Sequence, residues 1–142
     1  MKLTDAELAF LAEHHSAAMV TVNPDGIAKV ARVGVAIIDG KLWSSGTEDR
    51  VRTKRLRRDP RCTLYVHDTG FAFMALETTV TILDGPDAAA NNLALFRQMQ
   101  SKATGPLSWF GGELSEEEFL AQMEAEKRLI YEFEPHHTYG LH

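Results

Sequence analysis

No stretch of the 142-residue chain approaches the ~20 consecutive apolar residues that a membrane helix needs, and no basic-then-apolar leader opens it. The expectation is a cytoplasmic protein with no membrane contact. Cysteine is almost missing: Cys62 alone excludes an intrachain disulfide and fits a reducing compartment. Its setting, Cys62-Thr63-Leu64-Tyr65-Val66, reads as an apolar strand, so the thiol is expected to be buried and inert. No G-x-G-x-x-G follows a strand and no G-x-x-x-x-G-K-[ST] occurs, which removes the common dinucleotide and nucleoside-triphosphate loops. No G-x-S-x-G elbow is present. The histidine pairs His14-His15 and His136-His137 lack zinc-ligand spacing, because adjacent residues on a strand or helix point apart. Glu116-Glu117-Glu118 open a helix, where carboxylates favour the macrodipole, and form no catalytic dyad. With no acid–base or nucleophilic constellation in view, an enzyme of this sequence needs a bound cofactor to carry the chemistry.

What is present describes one ordinary globular domain spanning residues 1–142. Hydrophobic residues make up 44% and charged residues 25%, enough for a real core at this length. Thr4-Asp5-Ala6-Glu7 is a capping box that starts a helix running to about His14. A strand over Ala17 to Val22 meets the turn Asn23-Pro24-Asp25-Gly26. Ile27 to Ile38 follows as one long strand, apolar on both faces apart from Lys29 and Arg32, and therefore expected at the centre of a barrel. Asp39-Gly40 marks a two-residue hairpin into Lys41 to Ser45. Two further strands are expected over Arg61 to His67 and Phe71 to Leu83. A helix from Ala88 to about Lys102 has Asp87 as its candidate cap. Leu107 to Gly112 reads as a loop with two exposed aromatics, a candidate lid or dimer contact. A second capping box, Ser115 to Glu118, opens a helix to about Glu126. A last strand covers Arg128 to Phe133 and is expected to stop at Pro135, ahead of a docked tail, Thr138 to Leu141. Six mostly antiparallel strands with flanking helices make an α+β barrel.

The anomaly is charge. Seven of the fifteen Lys and Arg residues fall within Arg50 to Arg61, RVRTKRLRRDPR, against the single acid Asp59, giving +6 locally. The rest of the chain carries eight positive and nineteen negative charges, or −11. Like charges at i,i+4 on a short helix repel by roughly 0.2–0.5 kcal/mol per pair, which an anionic partner would relieve. A run of small residues, Ser45-Gly46-Thr47, precedes it and can bring backbone N–H groups close to a ligand. Small polar residues, then Arg50 and Arg52, then a helix start: this is the layout of a phosphate pocket. A solvated charged face is the competing reading of the same run.

With the run placed between a barrel hairpin and Asp59-Pro60, the sequence resembles the split β-barrel flavin and deazaflavin oxidoreductases related to pyridoxamine 5'-phosphate oxidase. It is most similar to the actinobacterial branch that uses the deazaflavin coenzyme F420. The resemblance rests on Asn23 to Gly26, on Leu42-Trp43-Ser44-Ser45, on Arg50 to Arg61 and on Tyr139-Gly140-Leu141. In such relatives the basic segment reads Arg-x-Lys-x-Arg-Asn-Leu-x-Arg-Asp-Pro-Arg. Here Arg52 stands for the Lys, Lys54 for the second Arg and Arg55 for the Asn, and Thr78 stands where many relatives have Gly. The resemblance implies a homodimer with the cofactor, F420 or alternatively FMN, in a groove between subunits. It implies a phosphate on Arg50 and Arg52 with Ser45 and Thr47 as hydroxyl or backbone donors, and Lys54 reaching the same group or an acidic coenzyme tail. The ring would lie along Arg32 to Val35, against Val33 and Val35, with Phe71 of the other subunit closing over it. The implied reaction is hydride transfer to an unsaturated, conjugated small molecule. Two other classes remain open: a non-catalytic binder of a flavin, haem or anionic metabolite, and a nucleic-acid binder. The second is disfavoured by a sequence pI near 5.6 and by the lack of aromatics in the basic run.

Overall fold

Six strand courses, all antiparallel, form one sheet that curls until its two edges are the same piece of chain. The computed structural model describes residues 1–142. Helix α1 (Asp5–Glu13) leads into β1 (Ser16–Val22), β2 (Ala28–Gly34), β3 (Ala36–Ile38) and β4 (Lys41–Thr47). Helix α2 (Val51–Arg58), β5 (Arg61–His67) and β6 (Phe73–Leu83) follow. The chain then runs through α3 (Ala88–Gln100), β7 (Leu107–Trp109), β8 (Gly112–Leu114), α4 (Glu116–Ala125) and β9 (Arg128–Leu141). The strand order is β2-β1-β5-β6-β9-β4-β3. Because β2 and β3 are two halves of one course interrupted at Val35, the sheet ends on both sides in the same segment, and the split barrel of the sequence reading is the fold observed.

Local signals explain most elements. Thr4 and Glu7 close the α1 capping box, and Ser115 and Glu118 close that of α4. Asp39 and Gly40 both take positive φ, 49° and 78°, as a two-residue hairpin turn requires. Inside the barrel pack Leu11 of α1, Leu56 of α2 and the inward rows of the strands, among them Met19, Leu64, Leu76 and Leu129. Helices α3 and α4 and the β7–β8 hairpin build a second, smaller core of Leu107, Phe119 and Met123, joined by Phe96 and Trp109.

Four expectations need correction. The course from Ile27 to Ile38 is not one central strand: it breaks at Val35, and the outward face of β2 is open, with Val30 67% exposed. Its apolar residues follow from lining a face of the barrel and not from burial on both sides. The last strand does not stop at Pro135. A register shift opposite Glu77/Thr78 places Pro135 at a bulge, where its missing N–H costs no ladder bond, and β9 continues alongside β6 to Leu141. Residues 107–112 are no loop but most of a two-stranded hairpin. Trp109 stands edge-on to Phe96 and Phe119, leaving only Phe110 at the tip exposed. Asp87 makes no side-chain cap to α3; that helix ends on Ser101 in the left-handed conformation.

Cys62 faces the core as expected, 4% exposed, and burial pushes its thiol up to about 12. The neutral thiol therefore persists through the usual working range of thiol reagents. A chromogenic disulfide reagent at pH 8 is expected to leave the native protein unmodified and to titrate one thiol per chain once denaturant unfolds it.

Candidate anion-binding site

The chain leaves β4 at Thr47 and turns into α2 within three residues. Thr47 Oγ1 donates to Asp49 Oδ1 (2.7 Å), and the Arg50 N–H donates to the Thr47 carbonyl (3.3 Å). This turn delivers Arg50 to the N-cap position, where it makes no side-chain bond back to the helix. The leading N–H groups of α2 and the positive end of its dipole therefore face outward without a cap. Thr47, Asp49, Arg50, Val51 and Arg52, with Ala31 of the edge strand β2, line an open pocket of about 590 Å³ at this point.

The seven cations of the basic run divide into two groups. Arg57 binds Glu48 and Asp84, each at 2.9 Å, and Arg61 binds Asp59 at 2.8 Å. Arg55 donates to Asn23 Oδ1 (2.7 Å) and Thr21 Oγ1 (3.0 Å), and Arg58 to the Val22 carbonyl. Arg50, Arg52 and Lys54 enter no ion pair. Their field is still felt: Asp49 is held below the usual carboxylate range, first by the Thr47 hydroxyl, against a smaller opposing effect of burial, with Arg50 and Lys54 adding to the lowering.

Arg52 is the most informative of the three. Burial lowers its pKa, the neighbouring Tyr131 hydroxyl opposes that, and Arg50 and Arg128 lower it further by repulsion. Its Nε is buried with no hydrogen-bond partner. A desolvated guanidinium carrying an orphan donor, near two like charges and an uncapped helix start, makes a setting that an anion would stabilise. These donors fit a phosphate.

Arg128 is a component that local sequence patterns could not supply. It sits directly across the ladder from Thr47, and only the β4–β9 pairing brings it here. Its guanidinium is held by Glu126 (2.8 Å) and lies 5.4 Å from the centre of the Trp109 ring.

The other expected site residues disperse. Ser45 faces α3, donating to Asn92 Oδ1 and accepting from Arg128 Nη1 (3.4 Å), and does not line the pocket. The Thr47 hydroxyl proton is committed to Asp49, so it is not the free donor expected. The side chains of Val33 and Val35, 7% and 0% exposed, belong to the barrel core, and the Val35 N–H and carbonyl are both taken by His15. Arg32 lies on the outer sheet face, bonded to Ser16 Oγ (3.2 Å) and lining a separate cleft with His67 and Thr69. Phe71 is 94% exposed in the β5–β6 turn. Within one chain, neither Arg32 nor Phe71 meets the Arg50–Arg52 pocket.

The family model for pyridoxamine 5'-phosphate oxidase matches residues 3–142. The chain belongs to that family. This places it among the split-barrel, flavin-type oxidoreductases. Solved structures agree on the fold. A conserved hypothetical protein from Mycobacterium tuberculosis superposes with a TM-score of 0.76 at 20% identity, over 98% of this chain and 84% of the other. An F420 reductase superposes with 0.71 at 20% identity, over 96% and 98%. General Stress Protein 26 from Bacillus anthracis gives 0.65 at 12% identity, over 94% and 88%. No curated protein matches the sequence.

The division of cations is directly testable. Arg57→Ala removes a half-exposed bridge to two acids and is expected to cost up to ~1 kcal/mol in urea unfolding. Arg52→Ala removes an uncompensated, half-buried charge and is expected to leave the urea midpoint unchanged or raise it while weakening anion binding at least tenfold.

Proposed function

We propose that the protein is a deazaflavin-dependent oxidoreductase, which binds coenzyme F420 and uses its reduced form to transfer hydride to a conjugated small molecule. The observation that carries the reading is the set of unpaired cations, Arg50, Arg52 and Lys54, around the uncapped start of α2. Membership of the flavin-type family supplies the class of cofactor, and the likeness to an F420 reductase favours the deazaflavin. The coenzyme, when bound, supplies the hydride. The chain's own part is to bind and orient: Arg50, Arg52 and the first N–H groups of α2 hold the phosphate, and Lys54, one turn on, meets a further carboxylate of the coenzyme tail. The edge strand β2 beside Ala31 turns the ladder-free backbone of Val30 and Arg32 outward, toward the ring, with the packed barrel behind it.

The second half of the proposal is a second copy of the chain. Register places Val22, Val30, Tyr65, Tyr139 and Leu141 on one outward face of β2-β1-β5-β6-β9, all more than 40% exposed, with Phe71 in the adjoining turn. An apolar sheet face of this kind is an association surface. A homodimer covers it and brings the partner's Phe71 toward the ring.

Fluorescence titration separates the cofactors. F420 is expected to bind more tightly than FMN, to weaken as salt rises, and to lose at least tenfold in affinity in Arg50→Ala and Arg52→Ala. Tighter binding of FMN would overturn the deazaflavin reading in favour of an FMN enzyme on the same anion pocket. Saturation without turnover across a broad panel of conjugated acceptors would favour a binding protein. Sedimentation velocity is expected to give a dimer that Val30→Glu shifts toward monomer.

A further inference from the structure

Tyr131 is the largest fully buried side chain of the barrel, and the residues around it make way for it. A Cβ on Gly46, two strand positions from its cross-strand partner Ser44, would lie 2.3 Å from the Tyr131 ring and hydroxyl, so position 46 must be glycine for the ring to reach this depth. The ring thus passes beneath β4 and puts its hydroxyl at the β4–α2 turn.

The hydrogen bonds there have a fixed direction. The Thr53 hydroxyl has one proton and donates it to the Thr47 carbonyl at 2.7 Å. The bond between Tyr131 and Thr53 must then run from the Tyr131 O–H to Thr53 Oγ1. That spends the phenol's only proton and ties Tyr131 to the turn through Thr53, with the half-buried Arg52 guanidinium nearby. A chain of donors therefore runs from Tyr131 through Thr53 to the Thr47 carbonyl, which also accepts from the Arg50 N–H, in the wall of the pocket. Directed chains of this kind polarise and stiffen one another.

We propose that Tyr131 is the positioning residue of the anion site: through Thr53 and the Thr47 carbonyl, which also accepts from the Arg50 N–H, it fixes the turn that presents Arg50, Arg52 and the first N–H groups of α2 to the ligand. The inference rests on the phosphate reading above and adds to it a residue that touches no ligand. It also explains why a threonine, whose hydroxyl must both accept and donate, stands buried at position 53 with no exposure.

The experiment compares phosphorylated and unphosphorylated probes on the intact protein. Binding of FMN and riboflavin is measured by fluorescence for wild type, Tyr131→Phe and Thr53→Val, with thermal melts of each. Tyr131→Phe keeps the ring packing and removes the bond to Thr53; it is expected to weaken FMN roughly tenfold, the effect of one buried hydrogen bond, while riboflavin binding stays within twofold. Thr53→Val, which breaks the relay at its middle step, is expected to reduce FMN binding in the same direction, and the double variant to lose less than the sum of the two. An equal loss for FMN and riboflavin in Tyr131→Phe would assign Tyr131 a merely structural role and overturn the proposal, as would unchanged binding of both. A wild type that does not distinguish FMN from riboflavin would instead overturn the phosphate reading itself. If Tyr131→Phe fails to fold, Thr53→Val decides by the same ratio.

Discussion

The fold depends on one break in one strand. A six-course antiparallel sheet has two raw edges, each a template for unwanted pairing. Here the course from Ala28 to Ile38 supplies both edges, and it can do so only if the backbone at the crossing is satisfied outside the ladder. The Val35 N–H donates to the His15 carbonyl at 2.8 Å, and the Gly34 carbonyl accepts from Ser44 Oγ at 2.6 Å. Gly34 is also where α3 presses in: a Cβ there would lie 2.7 Å from Met99 Sδ. The crossing is thus held from His15 just ahead of β1, from β4 and from α3 together, and Val35 itself is fully buried. The barrel stays split on the side where β2 leaves β3, and at that split Ala31 lines the pocket with Thr47, Arg50 and Arg52. The site lies where closure is incomplete.

Much of this was legible in the chain because short-range chemistry decides it. Capping boxes at Thr4 and Ser115, the Asp39-Gly40 turn and the alternation in Arg61 to His67 each specify geometry within a few residues. What was not legible depends on partners distant in sequence. The break at Val35 is invisible in an apolar run whose two halves pair with different strands. Pro135 looks like a terminator until a bulge opposite Glu77/Thr78 accommodates it. Trp109 looks exposed until Phe96, Phe119 and Arg128 surround it. In the site, charge density pointed to Arg50, Arg52 and Lys54 because like charges in one helix are costly and therefore conspicuous. Ser45, Val33 and Val35 stand apart from the pocket for a simpler reason: strand parity turns alternate residues to opposite faces, and a one-residue difference in face decides whether a side chain meets the pocket, the core or α3. Arg128 and Tyr131 carry no local signal, since β9 reaches the turn only through the finished sheet.

The basic run does two jobs that a less charged helix could not do together. Its trailing cations dock α2 from three directions: Arg55 and Arg58 to the end of β1 and the following turn, Arg57 to Glu48 and to Asp84 beyond β6, and Arg61 to Asp59 at the helix end. Each of these bonds is individually weak at an exposed surface, but together they fix the axis and register of an eight-residue helix that buries only Thr53 and Leu56. Fixing the axis fixes the direction of the helix dipole and the place of its first N–H groups. The leading cations can then remain unpaired, because the repulsion among them is borne by a helix anchored elsewhere. An anion arriving at α2 finds donors already aimed and little side-chain entropy left to lose. Acids reach only the trailing part of the run, Glu48 and Asp84 at Arg57 and Asp59 at Arg61, while Arg50, Arg52 and Lys54 enter no ion pair, which leaves uncompensated positive charge at the candidate site of a protein whose net charge is −5.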